Sequence, residues 1–140
     1  MSKSYLKEIE RLTDQIGDEY YLSHYLDLMS DGYFDWKIQQ DYEYMSPRFW
    51  EIFGYKPEEK EHKPSAWMEM IDKDDLKKAG ELLNKHFESH GEIPYIIEVR
   101  YTHKKGHIVT VLCRGKVIEW KGEEPLRMIG THTDITELRK

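Results

Sequence analysis

The sequence predicts an α+β domain, because its hydrophobic period changes twice along the chain. Residues 33–45 alternate apolar and polar side chains in two short runs, as half-buried strands do. Residues 46–90 follow a helical period, and after Pro94 the alternation returns in three longer runs. With a helical segment before residue 31, the predicted order is helix, two strands, three or four helices, and three strands joined by hairpins.

The first thirty residues predict a separate helical extension. Apolar residues recur there at alternating four- and three-residue spacing, which makes a heptad seam of under two repeats. Gly17 interrupts the seam, and Asp18 is suited to cap a second helix with a wide apolar stripe. We expect residues 1–30 to pair with a second chain or to cover the sheet, through the dimerisation candidates Ile9, Leu12, Ile16, Leu22 and Leu26.

The first two strands and the first helix of the domain follow from adjacent signals. A half-buried strand is predicted at 33–38 and a short second strand at 42–45. Ser46-Pro47 then predicts a helix start, since serine caps a helix and proline suits its first position. Gly54 ends this short helix, which is crowded with aromatic residues.

The middle of the chain predicts two further helices. Residues 56–63 are charged and predict a solvated loop or a single turn. Pro64 opens a short helix, and Asp72 or Asp74 caps the longest helix, which is expected to end near Ser89. The long helix carries an apolar face opposite a row of lysines, so one side of it is expected to pack on the sheet.

The last part of the chain predicts three strands at 95–102, 107–119 and 125–136. Lys104-Lys105-Gly106 and Lys121-Gly122 are the hairpin signals that separate them. The final run ends in Asp134-Ile135-Thr136 and changes into a helix start at residues 137–140, where Asp134 or Thr136 is suited to be the cap. A strand that leads directly into a helix indicates a module followed by another domain.

Composition excludes several classes of function. The 21 basic and 27 acidic residues give a net charge of −6, which argues against a nucleic-acid-binding surface. No apolar stretch approaches the ~18 residues that span a bilayer, and we expect a cytoplasmic protein. The single cysteine, Cys113, excludes an internal disulfide. The histidines are scattered without metal-ligand spacing, and no nucleophile–base set indicates an enzyme.

Eight ordered segments carry a family resemblance. They are Asp31-Gly-Tyr-Phe-Asp-Trp36, Tyr44-Met-Ser-Pro-Arg-Phe-Trp-Glu-Ile-Phe-Gly-Tyr55, Trp67 with Ile71, Asp74-Asp75-Leu76, Glu98-Val-Arg-Tyr101, Lys105-Gly106, Arg114-Gly115-Lys116-Val117 and Gly130 to Thr136. Covering about residues 26–137, they resemble the PAS domains of the PAS/PAC sensory-box subgroup in bacterial signalling proteins. The subgroup usually shows His-Pro before the paired aspartates, whereas Asp72-Lys73 stands here, a departure that concerns only the local turn.

The resemblance implies a five-stranded antiparallel sheet with helices packed over one face, formed by residues 31–136. It also implies a cavity that in different members holds haem, a flavin, a small metabolite or only side chains. Function would then be non-catalytic sensing, with a signal passed through Asp134, Ile135 and Thr136 to a downstream effector such as a kinase or a cyclase. A homodimer is the expected assembly.

Nine side chains are candidates for the cavity wall. They are Trp36, Phe49, Phe53, Trp67, His86, Phe87, Tyr101, Met128 and His132. Because protein interiors pack at crystal-like density, we expect such large side chains mainly to fill the interior. The sequence therefore favours a small or absent ligand pocket and no cofactor.

Cofactor-binding interpretations depend on a few positions. Thiol-adduct flavin chemistry needs a cysteine after the second strand, and Met45-Ser-Pro-Arg-Phe49 has none; Cys113, on a later strand, is best explained as a small buried residue. By resemblance to haem-binding relatives, His86 is a candidate iron ligand, although a surface or boundary histidine is the preferred interpretation.

His132 supports two further interpretations. By its offset from Asp134 it corresponds to the flavin-contacting glutamine of light-sensing relatives. A pocket-facing imidazole at this position would hydrogen-bond a ligand or titrate near neutral pH. The other interpretation is a histidine bonded to a core polar group, beside a Gly130 that lets a helix approach. A small α+β enzyme using His132 and Asp134 as an acid–base pair is the alternative from another class.

Overall fold

The computed structural model describes residues 28–140 continuously and, before them, Lys7, Leu22, His24, Tyr25 and Leu26. The chain divides into two compact units, Met1–Ser30 and Asp31–Lys140. In the first unit Leu22 and Leu26 are helical, Leu22 exposed and Leu26 half-buried. The other three dimerisation candidates, Ile9, Leu12 and Ile16, lie outside the described residues.

The second unit is built on a five-stranded antiparallel sheet, as predicted. Its strands are β1 (Gly32–Lys37), β2 (Tyr42–Met45), β3 (Tyr95–Thr102), β4 (Ile108–Lys121) and β5 (Glu124–Asp134). They lie in the order β2-β1-β5-β4-β3. The last strand in sequence is therefore the central strand of the sheet, paired with β1 on one side and β4 on the other.

Three α-helices and three short 3-10 segments complete the unit. The helices are α1 (Pro47–Ile52), α2 (Pro64–Met68) and α3 (Lys73–Glu88); the 3-10 segments are Ile38–Gln40, Pro57–Glu59 and Thr136–Arg139. Ser46 begins α1 as predicted, since its Oγ accepts hydrogen bonds from the Phe49 amide at 3.2 Å and from the Tyr33 amide at 3.0 Å. Asp72 rather than Asp74 caps α3, accepting from the Asp75 amide at 3.0 Å.

The core lies between the helices and one face of the sheet. Phe49, Trp50 and Phe53 of the α1 region are fully buried and pack against inward residues of the strands. The predicted alternation in β3 is confirmed, because Tyr95, Val99 and Tyr101 are buried while their neighbours are exposed. In β3 the periodic signal therefore placed the inner face correctly.

An ion pair attaches the start of α3 to the edge strand β3. Arg100 donates from Nε to Asp75 Oδ2 at 2.9 Å and from Nη2 to Oδ1 at 3.0 Å, and its backbone amide donates to Oδ2 at 2.8 Å. These hydrogen bonds lower the pKa of the buried Asp75 carboxyl below its usual value. A bidentate pair with a backbone bond fixes both position and orientation, so the first turn of α3 is anchored to the sheet.

The centre of the sheet requires two glycines because an aromatic ring lies on them. Gly115 of β4 and Gly130 of β5 are register partners, and Gly130 also pairs with Phe34 of β1. A Cβ on Gly130 would collide with the Phe34 ring and the Arg114 carbonyl oxygen, and one on Gly115 would lie 2.7 Å from the Met128 methyl. The close approach at Gly130 is made by a neighbouring ring rather than by a helix.

We expect Gly130→Ala to lower the free energy of unfolding by about 3 kcal/mol, because the added methyl meets rigid backbone and a packed ring. Gly80→Ala is the matched control: its Cβ meets nothing within 4 Å, and the change should stabilise α3 by about 0.5–1 kcal/mol. Urea denaturation of both variants measures the difference. Equal effects of the two substitutions would contradict the close packing at Gly130.

Candidate functional site

A cavity of about 320 Å³ lies between the inner face of the sheet and helices α2 and α3. This volume falls at the lower end of the ~300–1,000 Å³ typical of small-molecule sites. All five strands contribute to its wall, and Met68 of α2, which is 43% exposed, lies at its solvent side. The sequence favoured a small or absent pocket, and the cavity is a small one.

The nine predicted wall residues separate into two groups. Trp36, Trp67, Tyr101, Met128 and His132 line the cavity. Phe49, Phe53, His86 and Phe87 do not, and for these four the pocket assignment was wrong. Phe49 and Phe53 fill the core beside α1, whereas His86 and Phe87 lie in the last turns of α3, beyond the part of the helix that faces the cavity.

His86 is a buried structural residue rather than a surface or boundary histidine. Its Nε2 accepts a hydrogen bond from the Val117 amide at 3.2 Å, so the ring proton is on Nδ1, which donates to the Ile93 carbonyl at 2.7 Å. Both ring nitrogens are used, and neither is available to ligate haem iron. The imidazole instead attaches the end of α3 to β4.

Glu43 is the polar wall residue that the sequence interpretation missed. It lies on β2 opposite Trp36 of β1, is only 5% exposed, and accepts a hydrogen bond on Oε1 from Trp67 Nε1 at 2.9 Å. Burial raises the pKa of its carboxyl to about 7, an effect that the Trp67 hydrogen bond only partly offsets. The sequence did contain a signal for this inward placement. Glu43 lies two residues before the buried Met45, and residues two apart on a strand point to the same face.

His132 occupies the opposite part of the wall. It pairs with Gly32 and Cys113 in the sheet, and its Nε2 lies 3.5 Å from the Tyr101 hydroxyl. Its Nδ1 has no hydrogen-bond partner in the described part of the chain. Burial lowers the pKa of the ring to about 3, so the imidazole is neutral and does not titrate near pH 7, contrary to the sequence interpretation.

The wall can be tested against the cofactors that the resemblance implied. A flavin nucleotide carries a phosphate and haem carries carboxylates, groups that proteins usually pair with arginine or lysine. None of the described residues that line the cavity is a lysine or an arginine. Cys113 lines the wall, but burial raises the pKa of its thiol and so disfavours the reactive thiolate. The residues present do not fit either cofactor.

The exit of β5 is fixed by a compact set of hydrogen bonds. Asp134 Oδ1 accepts from the Thr136 amide at 3.0 Å and from the Thr136 hydroxyl at 2.6 Å. The Ile135 amide donates to the Thr110 carbonyl at 2.9 Å, and the Thr110 amide donates to Thr136 Oγ1 at 3.1 Å. Asp134, Ile135 and Thr136 thus join the end of β5 to the start of β4.

Asp134 does not share a site with His132. Its side chain is exposed and engaged with Thr136, whereas His132 is buried against the cavity. Met128 and His132 share the cavity face of β5, whereas Asp134 does not, because the strand ends there and the carboxylate turns to cap the following residues. An acid–base pair of these two residues has no geometric support.

The strand order, the helices over one face of the sheet and the cavity between them are those of the α+β fold that the sequence predicted. A family model described as the PAS fold matches residues 42–132, and the chain belongs to this family. No curated protein matched the chain. Within the described residues, the helices are all too short or too polar to cross a membrane.

Solved structures give the same class. A sensory box histidine kinase/response regulator from Burkholderia thailandensis is 29% identical, covering 79% of this chain and 80% of that one, with a TM-score of 0.68. The N-terminal domain of a diguanylate cyclase with PAS/PAC sensor from Marinobacter aquaeolei is 17% identical (79% and 99% covered, TM-score 0.66). A PAS domain from Colwellia psychrerythraea is 18% identical (84% and 97% covered, TM-score 0.66). The similarities to the last two structures show only that the fold is shared.

We expect Glu43→Gln to change how stability depends on pH. A folded-state pKa of about 7, raised from 4.5, means that the native state binds the proton more tightly. The stability that Glu43 contributes is then fully present below pH 4.5 and is lost as pH rises through about 7. Relative to wild type, the variant should gain up to about 3 kcal/mol over that window.

Urea denaturation across about pH 4 to pH 8 measures this effect. Glu81→Gln, which changes an exposed carboxyl on α3, is the matched control and should follow the wild-type profile. Parallel profiles for wild type and Glu43→Gln would contradict the buried, protonated carboxyl.

Proposed function

We propose that this chain is a non-catalytic sensory module in which the cavity receives a small molecule and β5 carries the response to its end. The observation that supports this most directly is the position of β5. It contributes Met128 and His132 to the cavity wall and ends in Asp134 two residues later. A change at the wall therefore acts on the same strand that leads out of the domain.

The output would be the hydrogen-bonded exit formed by Asp134, Ile135 and Thr136. Ile135 is buried while the residues on both sides are more exposed, so a small rotation of the strand end would change both its packing and its bond to Thr110. Interactions of this kind tend to have two discrete arrangements rather than a continuum. A ligand shifts the equilibrium between the two arrangements only if its affinity for them differs, typically by about 1–3 kcal/mol.

The effector in this proposal is a downstream kinase or cyclase. Support comes from the relatives, since one belongs to a histidine kinase/response regulator and another to a diguanylate cyclase. The exit segment Thr136–Arg139 would continue into that partner.

A cavity-filling variant tests the relay without knowledge of the ligand. Ala79→Leu places a larger side chain in the cavity wall, and we expect the hydrogen-exchange protection of the Ile135 and Thr136 amides to change at least about fivefold. Asn84→Leu, an exposed change on the same helix, is the control and should leave both amides unaffected. Protection of the Val111 amide separates global opening from a local effect. If both exit amides exchange as in wild type in a stably folded Ala79→Leu, no relay through β5 exists.

The second part of the proposal is a homodimer formed by the N-terminal extension. The support is the set of dimerisation candidates Ile9, Leu12, Ile16, Leu22 and Leu26. Of the two that the structure describes, Leu22 is 56% exposed and Leu26 is half-buried. A solvent-exposed leucine in such a stripe is stabilised when a second chain covers it.

Sedimentation equilibrium of the full chain should give a dimer at high concentration. Removal of residues 1–25 should raise the dissociation constant of the dimer at least about tenfold. Lys7→Ala, an exposed polar change in the same extension, should have no such effect. A monomeric full chain would disprove this part of the proposal.

A further inference from the structure

The cavity wall holds one carboxyl between two indole rings. Trp36 is the register partner of Glu43 on the neighbouring strand, and Trp67 of α2 donates its indole N–H to Glu43 Oε1 at 2.9 Å. All three side chains line the cavity. The second carboxyl oxygen, Oε2, is not used by that hydrogen bond, and an ionised carboxylate accepts several.

Glu43 is also the one described wall residue that can carry a charge near neutral pH. The other ionisable groups of the wall are held neutral by burial: the pKa values of Tyr95, Tyr101 and Cys113 are raised, and that of His132 is lowered. None of the described residues that line the cavity carries a positive charge. Any charge that the cavity acquires is therefore negative and lies at Glu43.

We propose that the cavity binds a small organic cation, an amine with an apolar or aromatic body, whose ammonium group lies against Glu43 between Trp36 and Trp67. This inference rests on the proposed function, because it takes the cavity as the input site. A buried carboxylate is costly without a counter-charge, and a bound ammonium supplies one. The aromatic and aliphatic side chains of the remaining wall would surround an apolar or aromatic body.

Two unpartnered polar atoms refine the ligand class. Trp36 Nε1 and His132 Nδ1 are buried and have no hydrogen-bond partner within the part of the chain that the structure describes. Buried polar groups are usually satisfied, so such atoms are natural contacts for a polar group on a ligand. The indole N–H is a donor, and a hydroxyl or carbonyl oxygen on the amine would accept from it.

Affinity for such a cation should rise with pH, since protonated Glu43 offers no charge. The side chains around the Glu43 carboxyl are Trp36 from β1, Trp67 from α2, Tyr95 and Tyr101 from β3, and Cys113 from β4. The His62 carbonyl accepts from the Glu43 backbone amide. Burial is the main influence on the pKa of the carboxyl and raises it to about 7, so the change in affinity should be centred there. A ligand of fixed charge isolates the titration of Glu43.

Calorimetric titration of the full chain with benzyltrimethylammonium, which is cationic at every pH, provides the test. Benzyl alcohol and phenylacetate are the neutral and anionic comparison probes. At about pH 8 we expect the cation to bind at least about tenfold tighter than benzyl alcohol, a preference that decreases toward about pH 5.5. Glu43→Gln should lose both the preference and its pH dependence while binding benzyl alcohol within about twofold of wild type.

Glu69→Gln, which removes an exposed carboxyl beside α2, controls for general surface charge and should bind as wild type does. Equal binding of cation and alcohol, a preference that survives in Glu43→Gln, or no binding of the cation at millimolar concentration would each overturn the proposal. A cation that binds as expected without changing exchange at Ile135 and Thr136 would leave the ligand class standing and remove the relay. Changed exchange of the exit amides in Ala79→Leu, together with no preference for the cation, would leave the relay standing and remove the ligand class.

Discussion

The position of β5 between β1 and β4 is the constraint on which the rest of the structure depends. Without it the sheet would consist of two separate pairs, β1 with β2 and β3 with β4, because within the described sheet both pairs are joined through β5. Its approach to β1 requires the Gly115–Gly130 pair beneath the Phe34 ring. Since one strand both completes the sheet and lines the cavity, the interior and the exit of the domain are joined by continuous backbone hydrogen bonds.

The cavity exists because its helical roof is supported at both ends and carries small residues between them. Asp75 and Arg100 anchor the first turn of α3 to β3, and His86 attaches its last turns to β4 through the Val117 amide. Ala79 and Gly80 lie between these anchors and face the cavity. A helix free at either end would move inward and close the space, because atoms that border a void lack van der Waals partners on that side. The volume is therefore a consequence of two polar attachments outside the cavity itself.

The sequence was sufficient for the sheet and insufficient for the site. Alternation predicted the inner faces of the strands, and Ser46-Pro47 predicted the start of α1, because both signals are local. The role of His86 was missed because its partners, Ile93 and Val117, lie 7 and 31 residues away. Glu43 was overlooked although its spacing placed it inward, since no local signal shows that Trp67, 24 residues later, donates to it. The volume of the cavity could not be predicted, because a void depends on the sum of many side-chain volumes.

The electrostatic state of the interior differs from what its residue types suggest. Histidine is the side chain that ordinarily titrates near neutral pH, and carboxyls are ordinarily ionised there. Burial reverses these roles: it lowers the pKa of His132 to about 3 and raises that of Glu43 to about 7. Between these values both groups are neutral and the cavity resembles an apolar site. Above about pH 7 it gains a negative charge at Glu43. The wall group whose charge changes near neutral pH is therefore the carboxyl on β2, while the imidazole on β5 stays neutral.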